Sequence, residues 1–196
     1  MPLYAAVPSW RIIFGLSYAA WALFEMWVWS RDRRKVAGAR KDKGSLYALI
    51  FLLVLGVFTA FMAPYHLPFG RIHLPGLPVF VLAIVLIWAG IAFRLWAILT
   101  LGRFFRYTVT VQDDHRLITS GPYRRLRHPS YTGALLTLMG IGLAQGNWVS
   151  LMSVIVFSLL AYGWRIRVEE QALAERFSQD FFQQRARSWA VLPFIW

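Results

Sequence analysis

Five long runs of apolar residues divide the chain, and polar segments rich in basic residues separate them. These runs cover residues 10–29, 45–63, 78–101, 131–145 and 148–163. Each of the first three is long enough to cross a hydrocarbon core about 30 Å thick as a helix of roughly 20 residues. The last two are shorter, and only Gly146 and Asn147 separate them. Since these two residues favour turns, the pair predicts a tight helical hairpin.

Composition agrees with a membrane protein. The 196 residues are 58% hydrophobic, with ten tryptophans and fifteen phenylalanines, and the mean hydropathy is +0.50. The sequence therefore predicts an all-α integral membrane protein with about five transmembrane helices in one domain. Three spans occupy residues 1–101, and residues 102–196 form the second half. Because the first apolar run is long enough to span and follows no basic segment, we expect no cleavable signal peptide.

Basic residues predict how the chain crosses the membrane. Seven, six and five Lys or Arg residues lie in segments 30–44, 102–130 and 164–196, whereas the 64–77 loop holds one. Because cytoplasmic loops carry the excess of Lys and Arg, we expect the three basic segments in the cytoplasm. Five crossings then place the N-terminus outside and the C-terminus inside. The short, cysteine-free chain favours a bacterial-type cell membrane.

The net charge of +12 and the absence of cysteine narrow the function classes. The basic residues border apolar runs, where membrane topology already accounts for them, so we expect no nucleic-acid partner. Without cysteine, the chain has no disulfides, no Cys-ligated zinc and no thiol catalysis. We also expect no metal site. The expected partners are the lipid bilayer and a lipophilic substrate.

The stretch GPYRRLRHPSYTG, residues 121–133, borders the fourth apolar run and has the pattern of a binding site. Pro129 disfavours a helical conformation at His128 and is suited to begin the next helix. The N-terminus of that helix would offer free N–H groups and a partial positive charge to a carboxylate. The arginines alone fit a basic membrane border. His128 together with Tyr123 and Tyr131 favours a function.

A second candidate element, RIRVEEQALAERF at 165–177, directly follows the last apolar run. Arg165 lies four residues before Glu169 and therefore on the same face of a helix. A solvated pair of this kind contributes only about 0.3 kcal/mol. Adjacent glutamates, Glu169 and Glu170, are unusual in a chain with nine acidic residues. A functional role is therefore favoured over a surface ion pair.

The run HRLITSGPYRRLRHPSYTG, followed by a helical hairpin and then by R-x-x-x-EE-x-x-L, resembles the isoprenylcysteine carboxyl methyltransferase family. The resemblance extends from about Leu101 to Pro193. It implies a membrane enzyme that uses S-adenosyl-L-methionine, built as a helix bundle with a cytosol-facing cofactor pocket. The run GIGLAQG at 140–146 does not follow a strand, so it is not interpreted as a nucleotide-binding loop.

The resemblance assigns functional residues position by position. The implied cofactor-binding residues are His115, Arg116, Leu117, Ile118, Tyr123, His128, Pro129, Ser130, Tyr131, Glu169 and Glu170. Arg165 and one of the two glutamates match an essential arginine and glutamate of the family, so the candidate catalytic residues are Arg165, Glu169 and Glu170. A glutamate and aromatic faces suit the sulfonium and ammonium cations of the cofactor, and His128 suits its carboxylate.

The expected reaction is methyl transfer to a lipophilic acceptor, with an isoprenylcysteine-type carboxylate as the leading candidate. A carboxylate is ionised at pH 7 and needs no general base, so catalysis would be mainly positioning, with Arg165 holding the acceptor. Near the C-terminus the chain departs from a family pattern of two tyrosines and a Thr-x-Arg. Those places hold Phe181, Gln184, Ser188 and Ala190. The missing arginine bears on the substrate more than on the cofactor.

Two other enzyme classes and a non-enzymatic scaffold remain open. An N-methyltransferase acting on a phospholipid or another amine would require a base. An NADPH-dependent membrane reductase of the sterol reductase type would explain the arginines at 124–127 through a 2′-phosphate. A scaffold would leave His128, Tyr131 and the glutamate pair without a role.

Charged side chains inside apolar runs are costly, and two are present. Glu25 and Arg94 are therefore expected to face the interior of the bundle, where they could pair with each other. His66 and His73 lie in the outer loop without an acidic neighbour, and we interpret them as surface residues.

Overall fold

The computed structural model describes residues 1–32, 39–40, 44–105, 110–111 and 117–194. Its helices are α1 (Pro8–Asp32), α2 (Ser45–His66), α3 (Gly76–Leu101), α4 (Pro129–Ala144) and α5 (Trp148–Ala186). Two strands of two residues each, β1 (Ala39–Arg40) and β2 (Thr110–Val111), pair antiparallel. The predicted all-α class is confirmed, since this short ladder is the only sheet among the described residues.

Helix length separates the elements that can cross a membrane from the one that cannot. Within the described chain, α1, α2, α3 and α5 are long and apolar enough to span. Helix α4 has 16 residues, or about 24 Å at 1.5 Å per residue, which is short of a full crossing. Helix α5 has 39 residues, or about 58 Å, so its second half extends beyond the hydrocarbon core. The number of crossings, about five, stays a prediction.

Glycines allow α3 and α4 to pack backbone against backbone. A Cβ atom at Gly133 would lie 2.6 Å from the backbone nitrogen of Arg94, and one at Gly140 would lie 2.6 Å from the carbonyl oxygen of Ala83. Small residues at such crossings are typical of membrane helices. Gly140 therefore serves packing inside α4, as interpreted from the sequence, and the register places Arg94 beside the first turns of α4.

Hydroxyl groups join α5 to α2. The Ser150 hydroxyl donates to the carbonyl of Ala60 at 2.7 Å. Farther along α5, the Arg165 guanidinium donates to the Ser45 hydroxyl at 2.6 Å. Such interhelical bonds satisfy polar groups that would be costly to leave unpaired away from water. The antiparallel register brings Arg165 level with the first residue of α2.

The turn between α4 and α5 is the predicted tight hairpin. Gly146 adopts a positive φ of 66°, and the Asn147 side chain caps α5 by accepting from the Val149 N–H at 2.8 Å. The Asn147 amide also donates to the carbonyl of Leu67 at 2.9 Å, just after α2. The tip of the hairpin therefore reaches the level of the loop between α2 and α3.

Aromatic stacking and one ion pair attach α1 to α3. Trp10 stacks on Phe80 with ring centroids 4.7 Å apart. Farther along the same two helices, Arg94 makes two close contacts with Glu25, Nε to Oε1 at 2.9 Å and Nη2 to Oε2 at 3.0 Å. The pairing that the sequence allowed for these two residues is therefore confirmed.

The C-terminal segment folds back against the loop before α4. Ser178 interrupts α5 with a φ of 43° and a ψ of −112°. Beyond it, Trp189 forms a parallel bridge with Leu126, and the His128 N–H donates to the carbonyl of Ala190 at 2.9 Å. These backbone bonds fix the position of His128 from outside its own helix.

The fold predicts which loops label from opposite sides of the membrane. The chain has no native cysteine, so Phe69→Cys, in the exposed loop after α2, and Gln183→Cys, on the exposed end of α5, are clean single reporters. By the charge distribution, an impermeant maleimide should label position 69, and not position 183, from outside intact cells. Labelling in the reverse order would invert the topology, and labelling of both from outside would contradict it.

Candidate functional site

Glu169 joins three side chains at the point where α4 begins and α5 leaves the bundle. Its Oε1 atom accepts from the Tyr131 hydroxyl at 2.5 Å and from the Arg165 Nε at 2.9 Å. Its Oε2 atom lies 3.3 Å from the Nδ1 of His128. The i,i+4 spacing predicted the contact with Arg165, whereas the contacts with α4 depend on the antiparallel packing of the hairpin.

Glu170 holds a different set of partners, on the side of the C-terminal segment. Its Oε1 atom accepts from the Arg127 Nε at 2.7 Å and lies 3.3 Å from the Nε2 of His128. Its Oε2 atom lies 3.8 Å from the Arg185 Nε. Arg127 in turn donates to the carbonyl of Ser188. The two glutamates therefore have different structural roles. Glu169 contacts α4, whereas Glu170 connects the loop before α4 to the segment after α5.

His128 bridges the two carboxylates with its two ring nitrogens. Burial alone would lower the pKa of this imidazole, but the hydrogen bonds and charges of Glu169 and Glu170 outweigh burial and raise the pKa above 6.5. The backbone at His128 is non-helical, with φ −125° and ψ 56°, and Pro129 opens α4. The predicted effect of the proline on the residue before it is confirmed.

Two tyrosine rings, Tyr131 and Tyr162, continue a stack that begins at His128. The Tyr131 ring stacks on His128 at a centroid distance of 5.8 Å and on Tyr162 at 4.8 Å. Tyr123 is also buried, and burial together with the Glu169 charge raises the pKa of its hydroxyl. Tyr123 therefore stays neutral, and the rings of these tyrosines offer their faces to a ligand.

One cavity of about 1000 Å³ begins at this site and continues between α1 and α2. Its polar end is lined by Tyr123, Arg127, His128, Ser130, Tyr131 and Glu169, with apolar walls from Leu117, Ile118, Ala172, Leu173 and Phe181. Its other end is lined by α1 and α2, through side chains that include Tyr18, Trp21, Leu49, Leu53 and Val57. Pockets for single small ligands measure about 300–1,000 Å³, so this cavity lies at the upper end of that range.

The apolar end opens sideways. Met26, Val54 and Phe58 line the cavity, and 59%, 62% and 61% of their surface is exposed. Such high exposure of lining side chains shows that this end of the cavity, between α1 and α2, is open and not enclosed. A lipophilic molecule in the bilayer could enter the cavity through this open end.

The predicted site residues fall into three groups. Seven line the cavity: Leu117, Ile118, Tyr123, His128, Ser130, Tyr131 and Glu169. Three lie beside the cavity, next to residues that line it: Pro129, Arg165 and Glu170. Arg165 and Glu170 contact the lining residues Glu169 and His128, respectively. His115 and Arg116 lie outside the described residues.

Arg165 lies deeper than the sequence indicated. Only 1% of its surface is exposed, and its guanidinium is directed to Ser45 and Glu169 and does not line the cavity. The expectation that Arg165 points to an entering acceptor does not match this placement. The physical reason is the register of α2 on α5, which covers Arg165 with the first turn of α2.

Several lining or supporting residues were not singled out as site residues in the sequence. In the sequence Arg127 was indistinguishable from the other basic residues of a membrane border. In the structure its contact with Glu170 and its place in the cavity wall distinguish it from the exposed Arg124 and Arg125. Phe181 and Gln184, noted as departures from the family pattern, both line the cavity. Gln184 also donates to the carbonyl of Ile118 at 3.4 Å. No periodic signal in the sequence marks these positions.

Comparisons with known proteins agree with this geometry. The family model described as phospholipid methyltransferase matches residues 78–180. A probable protein-S-isoprenylcysteine O-methyltransferase from Oryza sativa subsp. indica is 31% identical over 114 residues, which cover 57% of this chain and 60% of that protein. The protein-S-isoprenylcysteine O-methyltransferase of Saccharomyces cerevisiae is 34% identical over 117 residues, 59% of this chain and 49% of that protein. The matched part thus spans three fifths or less of these relatives.

A solved structure shows the same arrangement of helices. The eukaryotic intramembrane Ras methyltransferase ICMT, an isoprenylcysteine carboxyl methyltransferase, matches with a TM-score of 0.59 and 25% identity. The match covers 74% of this chain and 52% of that one. The resemblance drawn from the motifs is thereby confirmed, and the chain is a multi-pass membrane protein.

The bridge formed by His128 predicts a pH-dependent stability. Because the pKa of His128 is raised on folding, its stabilising charge is fully present below about pH 6.5 and is lost as the pH rises through the folded-state pKa. The wild-type advantage in Tm over His128→Gln should therefore shrink as the pH rises above about 6.5. The exposed Gln183→Ala, which changes no titratable group, is the control and should show a Tm difference that does not vary with pH. A constant or growing advantage would show that the ring is neutral in the fold.

Proposed function

The chain belongs to the phospholipid methyltransferase family, and we propose that it transfers a methyl group from S-adenosyl-L-methionine to a lipophilic acceptor, with a carboxylate of the isoprenylcysteine type as the leading substrate. The observation that carries this proposal is the single cavity that joins a charged, aromatic end at Glu169 to an apolar end between α1 and α2. The names of the relatives support methyl transfer over the reductase alternative.

The residues at the polar end fit the cofactor. Its cations require a carboxylate and aromatic faces, and Glu169, Tyr131 and Tyr123 offer these. Its carboxylate requires a cation, for which His128 and Arg127 are placed in the same wall. Its adenine requires apolar contacts, which the apolar side chains beside the polar end provide. When bound there, the cofactor would supply an electrophilic methyl group on a sulfonium centre.

In this proposal the protein acts by positioning and by excluding water. A carboxylate acceptor is already a nucleophile at neutral pH, so no side chain has to remove a proton. The apolar walls of α1 and α2 hold the lipid chain and desolvate the acceptor head group. Glu169 fixes the cationic end of the donor, and the stack behind Tyr131 limits its movement. Aligning two partners in this way accounts for a large part of such a reaction's acceleration.

Arg165 and Glu170 do not line the cavity, but they hold residues that do. Arg165 holds the Glu169 carboxylate in the orientation that Tyr131 and His128 share. Glu170 holds Arg127 and the C-terminal segment against the same wall. We therefore assign Arg165 and Glu170 as positioning residues and Glu169 as the carboxylate that contacts the cofactor.

The proposed location is a bacterial-type cell membrane, with the N-terminus outside and the cofactor end of the cavity facing the cytoplasm. The support is the charge distribution, since the basic segments flank the same ends of the helices as His128 and Glu169. A soluble cofactor then reaches its end from the cytoplasm, and the lipid acceptor arrives from the bilayer.

Arg165→Lys tests the positioning role. A lysine cannot donate to Ser45 and Glu169 with the planar fork of an arginine. We expect at least about a tenfold loss of S-adenosylhomocysteine affinity, roughly 1.4 kcal/mol, by calorimetric titration in detergent. Arg167→Lys, exposed and two residues along the same helix, is the matched control and should bind like the wild type. If Arg165→Lys kept its affinity for S-adenosylhomocysteine but lost turnover, Arg165 would instead bind the acceptor.

Turnover of defined acceptors tests the reaction itself. The purified protein, supplied with labelled S-adenosylmethionine, should convert N-acetyl-S-farnesylcysteine to its methyl ester, detected by mass spectrometry. Phosphatidylethanolamine in the same micelles serves as the amine acceptor and should remain unmethylated. If only the amine were methylated, the acceptor would be an amine and not a carboxylate. Binding of NADPH but not of S-adenosylhomocysteine would remove the methyltransferase assignment.

A further inference from the structure

The ion pair of Arg94 and Glu25 lies in the wall of the cavity, between its two ends. Both residues line the space, on α3 and α1 respectively. The Arg94 side chain is 7% exposed and that of Glu25 is 26% exposed. A charged pair at this depth is costly in a membrane protein, and such residues are usually functional.

Arg94 is held by hydrogen bonds beyond the ion pair. Arg94 donates from Nη1 to the Ser130 carbonyl at 3.1 Å and to the Ser130 hydroxyl at 3.0 Å, in the first turn of α4. These contacts, with the close packing of α3 on Gly133, fix the guanidinium independently of Glu25. Glu25 is the more exposed partner and belongs to α1, which lines the sideways opening. Of the two, Glu25 is the one that can be displaced.

Arg94 is also close to the proposed site of reaction. Tyr123 lines the same cavity as Arg94 and Glu169, and its pKa, which burial and the charge of Glu169 raise, is lowered by the charge of Arg94. Ser130, which holds Arg94, is adjacent to Tyr131, which holds Glu169. A head group bound to Arg94 would therefore lie between the apolar end of the cavity and the polar end proposed for the cofactor.

Arg94 pairs with Glu25 on α1, the helix that borders the apolar end, whereas the other cations in the described lining pair with the glutamates of α5. Arg127 pairs with Glu170, and His128 lies between both glutamates. An anion arriving from the apolar end therefore meets Arg94 before either of them. A guanidinium with bidentate geometry is well suited to a carboxylate.

From these contacts we propose that Arg94 is the binding site for the acceptor's carboxylate, and that Glu25 is a resident counter-ion which the acceptor displaces. The inference rests on the proposed function and identifies how that site would recognise an anionic head group. Until an acceptor arrives, Glu25 holds its place and keeps the buried guanidinium paired. On binding, one carboxylate replaces another, and the energy needed to displace Glu25 is a part of the selection against neutral lipids.

Opposite responses of two variants distinguish this role from a structural ion pair. Glu25→Gln removes the competing charge and should strengthen binding of an acid, whereas Arg94→Gln removes its partner and should weaken it. A pair that only stabilises the bundle would respond with the same sign to both changes, because each leaves one buried charge uncompensated.

The test measures binding of N-acetyl-S-farnesylcysteine and of its uncharged carboxamide in detergent, with S-adenosylhomocysteine present. Relative to wild type, we expect about threefold or greater tightening for the acid in Glu25→Gln and at least about tenfold weakening in Arg94→Gln. Carboxamide affinity should change by less than about threefold in both. Ser17→Ala is the matched control, because it removes the bond from Trp88 that joins the same two helices without touching the cavity.

Each outcome has one meaning. Equal weakening of acid and carboxamide in both single variants would show a structural pair and overturn the inference, while the proposed function would stand. Failure of the wild type to bind or methylate the acid would overturn the proposed function and this inference with it. If Arg94→Gln loses S-adenosylhomocysteine binding, the Glu25→Gln/Arg94→Gln double variant, which leaves no unpaired charge, replaces it. That variant should bind the acid no better than the carboxamide, and a retained preference for the acid would overturn the inference.

Discussion

The carboxylate of Glu169 is the interaction on which the site depends. It accepts hydrogen bonds from α4 and from its own helix, and it contacts His128, whose backbone is held by the C-terminal segment. Removing any of these partners leaves a partly buried charge less well compensated, which is costly away from water. The same carboxylate lines the cavity. The same side chain therefore stabilises the structure and lines the ligand site, and Arg165, which does not line the cavity, helps to set its orientation.

The positions of α4 along α3 and of α5 along α2 bring these groups together. Close packing at Gly133 and Gly140 fixes how far α4 lies along α3, and this fixes the depth of His128 and Tyr131. The hydroxyl bond of Ser150 fixes how far α5 lies along α2, and this covers Arg165 with Ser45. Helix α1 is attached to α3 through Trp10, Ser17 and Glu25, and the apolar end of the cavity lies between it and α2. Closely packed pairs of helices thus hold the charged end, and the least buried of the candidate spans borders the apolar end.

Local patterns in the sequence predicted the elements that only local effects determine. Apolar runs located the helices, Gly146 with Asn147 located the hairpin, and Pro129 located the start of α4, because each effect acts over a few residues. The sequence did not predict that Arg165 would be buried, since Ser45 lies 120 residues away and the register between helices has no sequence signal. Nor did it distinguish Arg127 from its basic neighbours, because a membrane border and a binding wall have the same composition.

The assignment of different tasks to the two adjacent glutamates is the central claim, and calorimetric titration of S-adenosylhomocysteine into Glu169→Gln and Glu170→Gln tests it most directly. Gln preserves the size and much of the hydrogen bonding of each side chain, so the comparison isolates charge. We predict that Glu169→Gln loses at least about tenfold in affinity and that Glu170→Gln loses less than about threefold. The reverse order, or equal losses in both, would contradict the account, because Glu170 would then contact the ligand as closely as Glu169 does.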